Sequence, residues 1–192
     1  METECKLCDL HIERTQIVYA TPPPAGGLLA IGEAPGEKED LCGQGFAGIA
    51  GKNLDNALLS MGVSRSGYGR ANICRCRPPG NRKPSKIEVE ACLPHLHDLL
   101  RSSRTKVVLA VGGTPSGVFY EGKSLTEILE RAKRRGYRAD AEWSQEVFVV
   151  PMPHTSPLAW NRRAADGRPW REIGMRQIQI ALSLLGEKEG AD

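Results

Sequence analysis

The sequence predicts an α/β fold, a three-layer α/β/α sandwich built on a central parallel sheet of four strands. Two observations lead to this fold class: four short apolar runs of strand length, and helical patterns that alternate with them. The runs are rich in Val, Ile and Leu, and they are continuous rather than alternating, which is typical of strands buried on both faces. They are Leu28–Gly32, Ala71–Ile73, Lys106–Val111 and Val147–Val150.

Helical patterns occupy the segments between and after these runs. The clearest begins with Ser85 and Glu88, which form the Ser-x-x-Glu pattern of a capping box. The predicted helices are Asn53–Met61, Ser85–Leu100, Leu125–Arg135 and Trp170–Leu185. The conspicuous polar motifs instead follow three of the predicted strands, at the carboxyl edge of the sheet, where α/β proteins place their chemistry.

The length of 192 residues suits one compact domain. We predict that this domain covers residues 1–186 and that 187–192 form a flexible tail. No apolar run approaches the roughly 20 residues that span a bilayer, and the acidic and cysteine residues after Met1 do not resemble a signal peptide. We therefore expect a cytoplasmic protein that acts as a monomer.

The basic residues are unevenly distributed. The net charge of +3 is too small to indicate nucleic-acid binding by itself. Residues 1–40, however, carry three basic and eight acidic side chains, whereas 70–86 carry six basic and no acidic ones, and a second basic cluster covers 131–138. Such polarity fits a surface that meets phosphate, although by itself it is more often explained by solvated faces.

Four of the six cysteines form two pairs whose spacing suits a metal site. The first pair is a Cys-x2-Cys at positions 5 and 8, and the second is separated by fifteen residues. The candidate ligands are Cys5, Cys8, Cys76 and Cys92. Spacing alone allows either zinc or a [4Fe–4S] cluster. Of the two remaining cysteines, we expect Cys74 to pack as a small apolar residue and Cys42 to lie in a polar loop.

The polar motifs occur in a fixed order along the chain. They read Gly-Glu-Ala-Pro-Gly at 32–36, Gly-Gln-Gly-Phe at 43–46, Cys-Arg-Cys-Arg-Pro-Pro-Gly-Asn-Arg at 74–82 and His-Thr-Ser-Pro at 154–157. Together with the cysteine spacing, they closely resemble the family 4 uracil-DNA glycosylases, the iron–sulfur branch of that superfamily. The resemblance implies a uracil-DNA glycosylase-like fold and a [4Fe–4S] cluster held by the four cysteines, with a structural role.

The resemblance also implies a DNA glycosylase that flips its target base out of the stack. Phe46 matches the family residue that stacks on the base, and Asn72 matches the one that reads the pyrimidine edge. The expected base-binding set is Gly32, Ala34, Gly45, Phe46 and Asn72.

Two residues are the candidates for catalysis. His154 resembles the family histidine that hydrogen-bonds O2 of the leaving base, where negative charge collects. Glu33 is the candidate that positions or activates the attacking water. No lysine is placed convincingly as a Schiff-base nucleophile, so we expect a monofunctional enzyme that leaves an abasic site.

Contacts with DNA are expected from the basic segment before the third predicted strand and from the loop after the last strand. The expected residues are Arg75, Arg77, Arg82, Lys83, Ser156, Leu158, Arg162 and Arg163. Either Leu158 or Trp160 would wedge into the gap that the flipped base leaves.

Two positions depart from the family pattern. Gly45 stands where the family usually has proline, and Thr155 stands where the family usually has the proline of His-Pro-Ser. These changes raise the hypothesis of a wider pocket that accepts a pyrimidine enlarged at C5, such as the hydroxymethylated or glucosylated bases of phage DNA, in antiviral defence. Uracil is the default substrate. A catalytically silent nucleic-acid binder and a zinc or redox protein are the alternatives from other classes.

Overall fold

A computed structural model describes residues 4–24, 26–139 and 147–186. Its four strands are all parallel and lie in the order β2-β1-β3-β4. They are β1 (Leu28–Gly32), β2 (Tyr68–Asn72), β3 (Val107–Val111) and β4 (Phe148–Met152). The predicted fold class is thus confirmed. The tail predicted at 187–192 lies outside the described residues.

Seven α-helices connect and cover the strands within the described ranges. They are α1 (Glu37–Cys42), α2 (Ile49–Leu59), α3 (Lys86–Ser102), α4 (Gly113–Phe119), α5 (Leu125–Arg134), α6 (Pro157–Trp160) and α7 (Trp170–Gly186). None of the helices in the described part of the chain is long and apolar enough to cross a membrane.

Two hydrophobic clusters pack on opposite faces of the sheet. Because side chains alternate along a strand, Leu29 and Ile31 face a cluster that contains Leu96 of α3 and Ile128 of α5. Leu28 and Ala30 face the other cluster, which contains residues of α2 and α7. All five residues of β1 are buried, as its continuous apolar run predicts. The strands therefore form the middle of three layers.

The sequence misplaced the start of β2 and missed three helices. β2 begins at Tyr68 rather than Ala71, because Gly69 and Arg70 conceal its strand character. Gly69 is nevertheless required, since a Cβ there would lie 2.4 Å from the backbone nitrogen of Pro23. Helix α4 begins Gly-Thr-Pro-Ser-Gly, a weak helical sequence, and its burial of Phe119 against the sheet stabilises it. The other two missed helices, α1 and α6, have only six and four residues.

The functional motifs gather at the carboxyl edge of the sheet. Gly32 and Asn72 end β1 and β2 and are paired in register. The backbone N–H of Gly112, after β3, donates to the carbonyl of Met152 in β4 at 2.8 Å, which places the segment carrying His154 at the same edge.

Candidate active site

Gly32, Asn72 and Phe46 converge on one point at the carboxyl edge. A Cβ on Gly32 would lie 2.4 Å from Asn72 Oδ1 and 3.0 Å from Phe46 Cζ. Only glycine therefore lets the amide and the aromatic ring approach the end of β1 together. Phe46 is 8% exposed and has a φ of +58°, an unusual backbone conformation for a bulky residue. The expected aromatic face and amide thus occur side by side.

The backbone around Phe46 is fixed by Arg65. The guanidinium of Arg65 donates to the carbonyl of Phe46 at 3.1 Å and to that of Gly45 at 3.0 Å. Its Nη1 also lies 2.6 Å from a carboxylate oxygen of Asp55 on α2. Arg65 holds the strained Phe46 loop in place. No sequence pattern indicates this role, because Arg65 lies outside every motif.

Glu39 links the two loops that form the candidate pocket. One of its carboxylate oxygens accepts from the backbone N–H of Gly36 at 3.1 Å, and the other accepts from that of Gly48 at 2.7 Å. Gly36 belongs to the Gly-Glu-Ala-Pro-Gly motif, and Gly48 follows Phe46 by two residues. The carboxylate therefore holds the loop of Glu33 and the loop of Phe46 at a fixed separation.

His154 lies beyond the end of β4 and is held in one tautomer. The backbone N–H of Ser156 donates to His154 Nδ1 at 3.2 Å, so the neutral ring carries its proton on Nε2. The ring is exposed to the cleft, but the protein beneath it removes solvent and lowers its pKa below the usual 6.5, while the nearby carboxylate of Glu33 acts in the opposite direction. A neutral ring with a free Nε2–H is a hydrogen-bond donor.

Glu33 and Ala34 differ in their surroundings. Glu33 is half-buried and lies close enough to His154 for their charges to interact. Ala34 packs against the hydrophobic cluster on the α3 side of the sheet. Gly112 lies beside the histidine, since a Cβ there would make an ordinary contact with His154 Cδ2 at 3.4 Å. Its φ of +106°, which side chains rarely adopt, is what requires glycine at this position.

The two departures from the family pattern lie in the loop of Phe46 and the loop of His154. A Cβ on Gly45 would meet only Arg70 Cβ, at 3.9 Å. Thr155 is fully buried, and its hydroxyl donates to the carbonyl of Ala50 at 2.7 Å. Its own carbonyl accepts from Asn53 Nδ2 at 2.8 Å. Thr155 ties the histidine loop to α2, and the wider-pocket hypothesis finds no support at either position.

Of the two wedge candidates, the structure leaves only Leu158 at the surface. Leu158 is 79% exposed on the first turn of α6. Trp160 is 8% exposed, and its ring packs so closely on α7 that a Cβ on Gly174 would lie 2.7 Å from it. The suggestion that Trp160 enters DNA is wrong, because its ring belongs to the core. The hydroxyl of Ser156 accepts from the N–H of Ala159 and caps α6.

The basic candidates for DNA contact differ in the contacts that their side chains make within the protein. Arg82 donates to both carboxylate oxygens of Glu88, at 2.8 and 2.6 Å, and this contact lowers the pKa of Glu88 to about 2. Arg75 lies over the ring of Tyr19, and Arg77 donates to Asn81 Oδ1 at 2.8 Å. Lys83, Arg162 and Arg163 are exposed, as is Arg82. Arg163 Nη1 also donates to the carbonyl of Gly167 at 2.7 Å.

The second basic cluster, at 131–138, lies away from the candidate site. Arg138 forms a bridge with Phe148, the first residue of β4, and its guanidinium lies 3.9 Å above the Phe148 ring. This places the cluster at the amino edge of the sheet.

The four candidate cysteine ligands line one cavity, between the N-terminal segment, the loop after β2 and α3. Hydrogen-bond donors accompany two of the sulfurs: Arg14 Nη1 lies 3.0 Å from Cys76 Sγ, and the backbone N–H of Arg75 lies 3.4 Å from Cys92 Sγ. His95 Nε2 also lies 3.7 Å from Cys5 Sγ. Within the described ranges, no three His, Cys, Asp or Glu side chains are grouped closely enough to hold a metal ion.

Cys74 is buried as the sequence suggested, whereas Cys42 ends a helix instead of lying in a loop. Cys74 is fully buried, and a hydrogen bond from its thiol lowers the pKa of Cys92. Cys42 is exposed at the end of α1.

Asp40 ties the N-terminal cysteine segment to α1. Its carboxylate is 2% exposed and accepts from the backbone N–H of Thr15 at 3.0 Å and of Gln16 at 3.4 Å. The amide of Gln16 donates back to the carbonyl of Asp40 at 3.0 Å. Since Asp40 directly follows Glu39, one helix connects the cysteine cavity to the loops of the candidate pocket.

Comparison with known proteins agrees with this geometry. The model of the uracil DNA glycosylase superfamily matches residues 19–174, and the chain belongs to that superfamily. Within it, the chain is similar to proteins named type-4 uracil-DNA glycosylase. It is 33% identical to the one from Thermotoga maritima, over 97% of this chain and 92% of the relative. It is 32% identical to the one from Archaeoglobus fulgidus, over 81% of this chain and 78% of the relative. The resemblance seen in the motifs is confirmed.

Proposed function

We propose that this chain is a monofunctional DNA glycosylase that hydrolyses the N-glycosidic bond of a flipped-out uracil and leaves an abasic site. The observation that carries the proposal is the convergence of the Phe46 ring and the Asn72 amide at Gly32. Membership of the uracil DNA glycosylase superfamily and the names of the similar proteins support uracil as the base.

In this proposal, Phe46 and Asn72 bind the extruded base. The ring offers a flat apolar face to the pyrimidine, and the amide offers a donor and an acceptor to its Watson–Crick edge. Arg65 and Glu39 keep the two loops from relaxing, so the pocket is formed before the base enters. Such preorganisation reduces the cost of holding the base in a reactive geometry.

The bond between C1′ of the sugar and N1 of the base breaks, and its electron pair leaves with the base. Negative charge then develops on O2, where the Nε2–H of His154 donates a hydrogen bond. Water supplies the new bond to C1′, and Glu33 orients that water and accepts its proton. The carboxylate also favours the positive charge that develops on the sugar.

We further infer that Cys5, Cys8, Cys76 and Cys92 hold a [4Fe–4S] cluster. The thiols surround a cavity rather than meeting at one point, which suits a polynuclear cluster better than a single zinc ion. When bound, the cluster would supply a covalent cross-link between the N-terminal segment, the loop after β2 and α3. The donors from Arg14 and Arg75 would stabilise thiolate charge.

The remaining features of the proposal concern the whole chain. We infer a single domain, because both hydrophobic clusters pack on one sheet. We infer that it acts on DNA as a monomer. The six cysteines are free of disulfides, which supports a reducing compartment such as the cytoplasm.

The activity is tested with single-stranded and duplex oligonucleotides that carry uracil, hypoxanthine or a hydroxymethylated or glucosylated pyrimidine. We expect release of uracil, alkali-labile abasic sites, no strand cleavage without alkali, and little release of the enlarged bases. His154→Ala serves as the matched inactive variant. The absence of released uracil from every substrate would contradict the proposal, and preferential release of an enlarged pyrimidine would contradict the choice of uracil.

The cluster is tested separately by iron and acid-labile sulfide analysis of protein purified without oxygen. We expect both elements, together with visible absorbance, in the unmodified chain and in Cys42→Ser, whose thiol is exposed and does not line the cavity. Cys92→Ser should lose them. Zinc in place of iron, or equal iron in both variants, would refute the cluster.

A further inference from the structure

A groove extends from the candidate active site along the helical layer on the α3 side of the sheet. It encloses about 1340 Å³ of empty space, open solvent included. Glu33 is one of its lining residues, and the others belong to the segment that enters α3, to α4, and to the connection from α4 to α5. We call this surface the lateral groove. Apart from Glu33, the reaction as proposed uses none of its residues.

Charge distinguishes the lateral groove from an ordinary crevice. Its lining includes three lysines, Lys83, Lys86 and Lys123, and a single carboxylate, Glu33. All three lysines are exposed. Lys86 forms an ion pair with Glu90 at 3.6 Å, but both side chains are well exposed, so the pair is weak. Replacing the Glu90 carboxylate by another anion therefore costs little free energy.

The floor of the lateral groove suits a bulky backbone rather than stacked bases. Gly113 and Gly117 of α4 face the groove, and a Cβ on either would meet no atom within 4 Å. The lining contains no aromatic side chain on which a base could stack. A ligand held there is therefore recognised through its charge and not through base identity.

We propose that the lateral groove binds the phosphodiester backbone of one flank of the damaged strand. This inference rests on the proposed function, because the strand is positioned by the base that enters the pocket beside Glu33. The strand carries a negative charge at every nucleotide, and the lysines of the groove line the same surface as Glu33. Lys86 and Lys123 each neutralise one phosphate and extend the DNA site beyond the flipped nucleotide.

The chain provides a matched control. Lys86 lies at the start of α3 and Lys123 just before α5, both beside the groove. Arg101 and Lys133 lie in the last turns of the same two helices, toward the amino edge of the sheet. Each pair removes two positive charges when replaced by alanine. Arg101 also forms a surface ion pair, with Asp98 at 3.1 Å, as Lys86 does with Glu90.

The experiment compares two double variants: the groove variant, Lys86→Ala/Lys123→Ala, and the control variant, Arg101→Ala/Lys133→Ala. The substrates are single-stranded oligonucleotides that contain uracil and have either two or ten nucleotides on one flank of it. With a ten-nucleotide flank on one side, the groove variant should show a KM raised about 5-fold or more and an unchanged kcat. The slope of log KM against log salt should fall by about 1.4, because each phosphate contact to single-stranded DNA contributes about 0.7. With two nucleotides, both variants should match the unmodified chain.

Three results would overturn the proposal. The groove variant and the unmodified chain could have equal KM values with every substrate. The KM of the groove variant could rise equally with short and long flanks, or the KM of the control variant could rise as much as that of the groove variant. Fluorescence anisotropy with the same oligonucleotides gives Kd independently of catalysis. If the unmodified chain releases no uracil, the proposed function fails, while the difference in Kd between the two double variants still decides whether the groove binds the strand.

Discussion

The backbone N–H of Ser156 donates a hydrogen bond to Nδ1 of His154 at 3.2 Å. Because Nδ1 accepts this bond, the neutral ring holds its proton on Nε2, where it is available to a leaving base. The local turn after β4 thus sets the tautomer of the candidate catalytic histidine. The surrounding protein also removes solvent from the ring of His154. This desolvation lowers the pKa of the histidine and so favours its neutral form.

The dependence of activity on pH follows from this lowered pKa. Protonation of His154 would place a proton on Nδ1, against the N–H of Ser156, and would disrupt the turn. The neutral form is present above the pKa of the folded protein and is lost as the pH falls through it. We expect kcat/KM for uracil release to be level near neutral pH and to decline on the acid side with a midpoint below 6.5.

The substitution His154→Ala should lower the single-turnover rate of uracil release by about 100- to 1000-fold, which is the usual effect of removing a donor to a developing oxyanion. In the pH profile of this variant, the decline of kcat/KM on the acid side that is assigned to His154 should also vanish. A variant that keeps the same acid limb would show that another group titrates.

Gly32→Ala should disrupt the base pocket. The added methyl would lie 2.4 Å from Asn72 Oδ1 and 3.0 Å from Phe46 Cζ, so the amide and the ring must move apart. We expect kcat/KM to fall by about 100-fold, since displacements of about 1 Å have effects of that size. Gly45→Ala is the control, because its Cβ would meet only Arg70 Cβ at 3.9 Å. Equal activity of the two variants would contradict the assigned pocket.

Removal of the Glu39 carboxylate should loosen the pocket loops. Glu39→Ala leaves the N–H groups of Gly36 and Gly48 without their acceptor, at a cost of about 1–3 kcal/mol in the free energy of unfolding. Urea denaturation measures this loss, and KM for uracil-containing DNA should rise. Glu37→Ala is the matched control on the same helix, since its carboxylate is largely exposed and lies 4.0 Å from Arg77. We expect Glu37→Ala to change either quantity little.

Leu158→Ala should impair the enzyme more on duplex than on single-stranded DNA. Leu158 is 79% exposed beside His154, and a wedge is needed only where the flipped base leaves a gap in a stack. We expect kcat/KM to fall by about 10-fold on duplex substrate and to change little on single strands, where unstacking costs less. Ile87→Ala, which removes another exposed apolar side chain, on α3, is the control. An equal loss on both substrates would argue against a wedge.

Local patterns were sufficient to predict most of the fold. The apolar run of β1 was predicted with its exact limits, because burial on both faces leaves a continuous signature. The start of β2 could not be predicted, since the contact of Gly69 with Pro23 joins segments distant in sequence. Helix α4 was missed for a similar reason, as burial of Phe119 outweighs its weak helical propensity.

The sequence by itself determined which side chains are candidates for the chemistry: Phe46, Asn72, His154 and Glu33 were named from their motifs, and four cysteines from their spacing. The tertiary structure decided how they are held. Arg65 and Glu39 have no motif of their own, and their roles arise only when loops fold against each other. It also placed Trp160 in the core and Leu158 at the surface. The physical reason is that residue type fixes what a group can donate or accept, whereas packing between distant segments fixes where it points.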